Sequence, residues 1–351
     1  MADYKGIGYL RAKLSVRKMR VDTRYQYYEM KNVVDDFNVV TPEKFRYLNE
    51  TLGWCGKSVD ALADRLSFHT FKDDNLDINT IFAMNNSDVL FDSAILSAMI
   101  SSCCFVYISP GADGFPRLQV IDGGNATGII DPITGLLTEG YAVLDRDENK
   151  APKLEAYFVS GRTDYYQKGM KPYSVGNAAP YPLLVPIIYR PDAMRPFGHS
   201  RISRACMKIM QGALRTLKRS EISAEFYSFP QKYVLGLSAE AEEIDSWRAT
   251  ISTMLSFTDD GSGNKPTVGQ FIQQSMSPYT EQLRTFAALF AGETGLTLDD
   301  LGFATDNPSS AEAIKASHEN LRLAARKAQR TFGSNFLNVG YLAACVRDDY
   351  P

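Results

Sequence analysis

The sequence predicts an α+β protein, and three observations carry that expectation. Apolar residues recur at helical spacing through several long stretches before residue 101 and after Gly198. Between them lie short runs rich in β-branched and aromatic residues, cut by Gly, Pro and Asp turns. The half before Gly198 mixes both textures without an internal repeat.

In chain order, LRAKLSVRKMRVDTRYQYYEMK at 10–31 reads as a helix with tyrosines and basic residues mixed, and 42–66 as a second carrying Leu48, Leu52, Val59, Leu62 and Leu66. Pro42 behind Thr41 suits its first turn. A third helix is expected from Ile78 to Ser101. FVYIS, a turn through ADG, and RLQVID then read as a hairpin. DPITG separates two further strands, LEAYFVS follows Pro152, and Pro182 and Pro186 confine YPLLVPIIY to a sheet edge or an irregular strand.

After Gly198, residues 199–227 form one long helical pattern with Ile202, Cys206, Ile209, Ala213 and Leu217 on one face, closed by Pro230. Residues 230–277 read as a small insertion: strand QKYVLGL, a helix opened at Ser238, a DDGSGNK turn and strand TVGQFIQ. A helix follows over about 278–291. Ser309 with Glu312 forms a capping box for a last helix of about 39 residues, roughly 58 Å long if Gly333 and Gly340 neither bend nor end it.

At 351 residues with 44% hydrophobic content, the chain can bury a substantial core. A formal charge of -3 excludes a globally basic nucleic-acid module, so any such contact must be local. Five scattered cysteines without a CxxC pair argue against a disulfide framework or a zinc site and fit a reducing compartment. The charged N-terminus lacks the apolar stretch of an export signal. The longest uncharged apolar run, Ala94–Ile108, is shorter than the roughly 20 residues of a spanning helix, so no membrane is expected.

Catalytic chemistry finds little support. His69, His199 and His318 are dispersed, with no HExxH or GxSxG context. In GSGNKPT, Lys265 precedes Pro266 rather than Ser or Thr, so a plain turn is favoured over a phosphate loop. Asp299 and Asp300 lack calcium-loop spacing and read as solvent-facing. No catalytic residue, metal or cofactor is assigned.

Two charged features remain. Arg201, Arg204, Lys208, Arg215 and Lys218 recur at helical spacing as a basic stripe opposite the apolar one, either a solvated face or a surface for phosphates or an acidic neighbour. Residues 291–308 hold Glu293, Asp299, Asp300 and Asp306 and no Lys or Arg.

This order of elements resembles the portal proteins of tailed bacteriophages, in the Bacillus-siphophage-like branch. The resemblance rests on RYQYYEM (24–30), WCGKSVDALADRL (54–66), DGFPRLQVIDGGNATGIIDPITG (114–135), VPIIYRPD leading into FGHSRISRACMKIMQGALRTL, and GETGLTLDDLGFATDNPSSAEAIKASHENL. It covers nearly the whole chain, each stretch being weakly specific alone. GHS stands at 198–200 where relatives often have GRS or GKS, and the C-terminal crown region looks truncated or absent.

The resemblance implies a portal fold: an α/β wing over 1–198, stem helices over 199–229 and 278–293, a small α/β clip over 230–277, a tunnel loop over 294–308 and a long helix from 309 to 351 toward wing and crown. It implies a ring, dodecameric in the virion, at one capsid vertex after assembly in the host cytoplasm. Double-stranded DNA would pass through it non-specifically during packaging and ejection. Its other partners would be the terminase large subunit, the head-tail adaptor, and the major capsid and scaffolding proteins. The acids Glu293, Asp299, Asp300 and Asp306 would then face or approach the DNA path, repelling phosphates where a basic lining would hold them; otherwise they cap helices or face solvent. A non-ring head adaptor or scaffold, or a hydrolase, are the alternatives.

Overall fold

The computed structural model describes residues 4–31, 33, 43, 47, 50–72, 74–111, 114–228, 232–235, 267–270, 275–303 and 315–351. The chain divides into two units, one of residues 1–33, 53–208 and 290–351, the other of 34–52 and 209–289.

The first unit opens with helix α1 (Gly6–Glu29). Leu10 and Leu14, one turn apart, bury themselves against Tyr141 and Val143 of the sheet below, and the Glu139 carboxylate accepts the Gly6 N–H at 2.7 Å. A negative group there satisfies an orphan donor at the positive end of the helix. Helix α2 (Trp54–Ala63) follows and is shorter at both ends than the helix expected over 42–66: residues 50–53 before it and 64–66 after it are loop and turn, while 42, 44–46, 48 and 49 lie outside the described residues.

The single helix expected over 78–101 is two, α3 (Ile78–Met84) and α4 (Ser87–Ser101). Asn86 takes the left-handed conformation at φ 53°, which asparagine tolerates better than most residues. Asn85 stabilises the break, donating to Ile81 O and Pro116 O and accepting the Leu118 N–H.

Strands β1 (Cys103–Ser109), β2 (Arg117–Ile121), β3 (Ala126–Ile130), β4 (Leu137–Arg146), β5 (Pro152–Val159), β6 (Arg162–Gln167), β7 (Tyr173–Gly176) and β8 (Leu184–Ile188) come next. The expected hairpin is β1–β2, pairing Phe105 with Ile121 through Ser109 with Arg117. These strands form a three-stranded sheet, β2-β1-β8, and a five-stranded antiparallel meander, β3 to β7. The Pro186-containing strand β8 is an edge strand, as that proline requires, and Pro182 precedes it.

Helix α7 (Glu319–Asp348) covers that edge. Its buried Asn335 accepts the Ile188 N–H at 2.9 Å, so the strand end has a partner away from water. Asn335→Ala strands this donor and is expected to cost about 2 kcal/mol in a denaturant titration. Phe336 packs against Phe82 and Phe91, and Phe68 and Phe71 complete the aromatic cluster. The buried rings, Phe82, Phe91 and Phe336, contribute about 1.5–3 kcal/mol each.

α7 runs unbroken through Gly333 and Gly340, which the sequence suggests as bends or stops. Gly340 has a packing reason instead: a Cβ there would lie 2.5 Å from Ile78 Cγ2. The capping box at Ser309 lies outside the described residues.

The second unit holds most of α5 (Arg204–Ser228), strands β9 (Lys232–Leu235) and β10 (Thr267–Gln270), and most of α6 (Ser277–Thr294). The expected strands of the insertion pair antiparallel, Thr267 with Leu235 through Gln270 with Lys232; the helix expected from Ser238 and the DDGSGNK turn lie outside the described residues. α5 and α6 run antiparallel: Phe286 lies against Gly212, Thr216 donates to Gln282 at 3.2 Å, and the Ser223 and Tyr279 hydroxyls meet at 2.8 Å.

Candidate functional site

The acidic stretch begins where α6 ends at Thr294. There the Thr297 N–H and hydroxyl both donate to Asp300 Oδ2 at 2.9 Å, and the Asp300 N–H donates back to Thr297 Oγ1 at 3.1 Å. This reciprocal pair holds a single 3-10 turn, Asp299–Leu301, closed by Gly302 in the left-handed conformation. The two donors committed to Asp300 make it a structural acid, 3.8 Å from the His318 ring. Asp299 is exposed on the same turn. Glu293 is exposed and accepts the Ser203 hydroxyl at 2.8 Å. Asp306 lies outside the described residues.

The five basic residues expected as one stripe separate. Helix α5 begins at Arg204, not at 199, because Ser203 caps it: its hydroxyl accepts the Cys206 N–H at 3.1 Å. Arg201 therefore precedes the helix and is buried, at 8% exposure. Its Nε donates to Ser58 O, its Nη2 to Thr294 O at 2.7 Å, and its own N–H to Met99 O at 2.8 Å. The guanidinium thus ties α2 to the carbonyl end of α6, where a cation is favoured.

Lys218 is also buried, at 3% exposure. Its charge acts on Glu50, whose carboxyl is raised by burial and by Glu221 and lowered by Lys218. Arg204, Lys208 and Arg215 are exposed. The buried face of α5 is set by Cys206, Met210, Ala213 and Leu214, with Ile209 and Leu217 only half-buried.

A more concentrated basic site lies in the first unit. Lys13, Arg17, Arg20 and Arg24 of α1 share a cleft of about 1040 Å³ with Arg195 and Arg204; among the described residues Glu293 is the one carboxylate on its walls. Lys13 donates to Gly128 O at 2.7 Å, Arg17 to Cys103 Sγ at 2.6 Å and Arg24 to Ser101 O at 3.1 Å, each held by a neutral acceptor. Arg20 and Arg204 are exposed and make no ion pair among the described residues. Burial, and behind it the charges of Arg17, Arg20, Arg195 and Arg204, lower the Arg24 guanidinium to about 10. Burial, then Arg17, lowers Lys13.

The segment of the GHS variation lines the same cleft. Gly198 stands at φ 72°, and a Cβ there would meet Tyr189 O at 2.1 Å, so only glycine fits. His199 Nε2 lies 2.6 Å from Asp192 Oδ2, and this contact, then the Arg195 N–H, hold the Asp192 carboxyl below its ordinary range.

The α1 cations had a signal in the sequence: positions 13, 17, 20 and 24 follow the i, i+4, i+7, i+11 spacing of one helix face. Among the described residues no group of three or more His, Cys, Asp or Glu side chains is placed to hold a metal ion. The five cysteines are free, buried thiols. No helix among the described residues is long and apolar enough to cross a membrane.

Comparison with known proteins gives the class first: the sequence similarity is to bacteriophage proteins. No family model matches the chain. The portal protein of Mycobacterium phage L5 is 23% identical over 330 residues, 88% of this chain and 67% of that protein. The portal protein of Mycobacterium phage D29 matches at the same identity and coverage. A solved chain from the virion of a native gene transfer agent particle overlaps 91% of this chain and 87% of its own, at 14% identity and a TM-score of 0.45. The particular proteins it resembles in sequence are thus portal proteins of bacteriophages.

Proposed function

We propose that this chain is one subunit of a ring, a dodecamer in the virion, whose axial channel passes double-stranded DNA into and out of a phage capsid. The ring also docks the terminase large subunit and the head-tail adaptor and sits among major capsid and scaffolding proteins. The observation that carries this reading is the similarity to phage portal proteins along 88% of the chain. The order of elements agrees with it: an α+β unit, an antiparallel helix pair enclosing a small β excursion, an acidic turn and a long final helix. In this reading residues 1–198 form the wing, α5 and α6 the stem, 230–277 the clip, and 294–308 the tunnel loop.

Of the acids on that loop, Asp299 is the one whose carboxylate is exposed and uncommitted among the described residues, with Asp306 beyond them. Carboxylates there keep phosphate affinity low, because each phosphate neutralised by a cation adds binding that must be undone as DNA advances. Asp299→Lys is therefore expected to leave folding intact while lowering packaged DNA per head several-fold, read from DNase-protected DNA in assembled particles. Unchanged packaging removes Asp299 from the DNA path. The ring itself is tested by solution mass and negative-stain images of the purified chain; a monomer at all concentrations overturns the reading.

A further inference from the structure

Two uncompensated charge clusters lie on different elements of the first unit. One is the cleft that among the described residues holds six cations and one carboxylate. The other is a smaller depression of about 490 Å³ bearing Asp60 and Asp64 at the end of α2 and Asp88 and Asp92 on α4. Asp60 accepts the Tyr28 hydroxyl at 2.8 Å; none of the four acids makes an ion pair among the described residues. About 14 Å of helix separates Asp92 from Ser101, where α4 reaches the basic cleft. The clusters therefore leave each other unpaired within one chain.

We propose that the basic cleft of one subunit receives the Asp60, Asp64, Asp88 and Asp92 surface of a second copy of this chain. The inference rests on the ring reading, since a closed ring needs head-to-tail contacts in which two different patches of one subunit meet in its neighbours. Charge complementarity selects the occupant: one contact type neutralises both clusters at once, repeated at every interface.

One observation and one physical argument favour the chain's own copy over duplex DNA. The cations are interleaved with Tyr9, Val16, Phe197 and Met207, the mixed polar and apolar lining of a protein interface. A six-cation lining would also grip phosphates at each step, so it belongs away from the DNA path.

The test reverses exposed charges that hold no structural bond. Arg20→Glu with Arg204→Glu, and separately Asp64→Lys with Asp92→Lys, are made in the full chain. Each is checked for an unchanged melting temperature, and its assembly is followed by mass photometry and negative stain. Each pair alone is expected to raise the protein concentration for half-assembly by roughly tenfold or more, as like charges meet across the contact. The chain carrying all four reversals is expected to recover ring formation to within about threefold of the parent, because the complementarity is restored with its sign exchanged.

Parent-like assembly of both folded double variants overturns the proposal while leaving the ring intact. So does failure of the fourfold variant to recover. If the parent binds a short DNA duplex and Arg20→Glu with Arg204→Glu abolishes that binding without changing assembly, the occupant is nucleic acid and the proposal is wrong. A parent that forms no ring removes the reading beneath it, an outcome distinct from the others.

Discussion

Arg201→Ala is expected to lower the unfolding free energy by about 3 kcal/mol, although the residue sits in a run of basic side chains that reads as surface. The guanidinium is buried and donates to Ser58 O and Thr294 O from two different elements. Removing it leaves Thr294 O, at the open carbonyl end of α6, without its donor in a site closed to water, at a cost of about 1–3 kcal/mol, and takes a second donor from Ser58 O, which keeps its bond within α2. Relief from burying a cation offsets part of that loss. The backbone bond to Met99 O survives the substitution, so the loop stays in place and the deficit reports the side chain. Arg201→Lys should recover less than half, because an ammonium does not reproduce the planar fork that spans both acceptors. Urea titration checks both variants. A loss below about 0.5 kcal/mol for alanine is the range of an exposed residue and would contradict the placement of Arg201.

Arg201 also shows what the sequence does and does not reveal. Periodicity put it on a helix face with Arg204 and Lys208, but the spacing is silent on where the helix starts. The start was legible in Ser203, whose hydroxyl caps Cys206; a cap placed there leaves Arg201 in the preceding loop, free to turn inward. Lys218 fails differently: it is in the helix, but its burial depends on packing that a one-dimensional pattern does not contain.

The β half is legible in the sequence because its signals are local. Turn residues separate strands of alternating character, and Pro186 requires an edge. The break between α3 and α4 is not legible in the sequence because Asn85–Asn86 carries no Gly or Pro, and its stability comes from bonds to Pro116 and Leu118 far along the chain. Of the acidic loop, composition gave the charge but not its division of labour. Asp300 and Thr297 are spaced to bond reciprocally, which marks Asp300 as structural and leaves Asp299 exposed. The α1 cations had helical spacing in plain view; their importance lies in Arg195 and Arg204 arriving on the same cleft, which only the fold supplies.

Gly340→Leu is expected to cost about 3 kcal/mol, against the direction that helix propensity dictates. Glycine inside a helix is worse than alanine by about 1 kcal/mol, so propensity alone favours any replacement at both Gly333 and Gly340. The two positions differ in their surroundings. A Cβ on Gly333 meets nothing within 4 Å, whereas one on Gly340 would lie 2.5 Å from Ile78 Cγ2 and 3.1 Å from its Cδ1. Ile78 has little room to yield: it is buried, and its N–H is held by Asp74 Oδ1 at 2.7 Å at the start of α3. Forcing extra volume into such a contact costs roughly 1–3 kcal/mol, more for a side chain the size of leucine. Gly333→Ala should therefore stabilise by about 0.5–1 kcal/mol, Gly340→Ala should destabilise by about 1 kcal/mol, and Gly340→Leu should lose most. Adding Ile78→Ala to Gly340→Leu opens space at the same contact, so the double variant should lose less than the sum of the two single losses. Strict additivity of those losses, or a Gly340→Ala variant as stable as Gly333→Ala, would mean that α3 and α7 do not approach each other this closely.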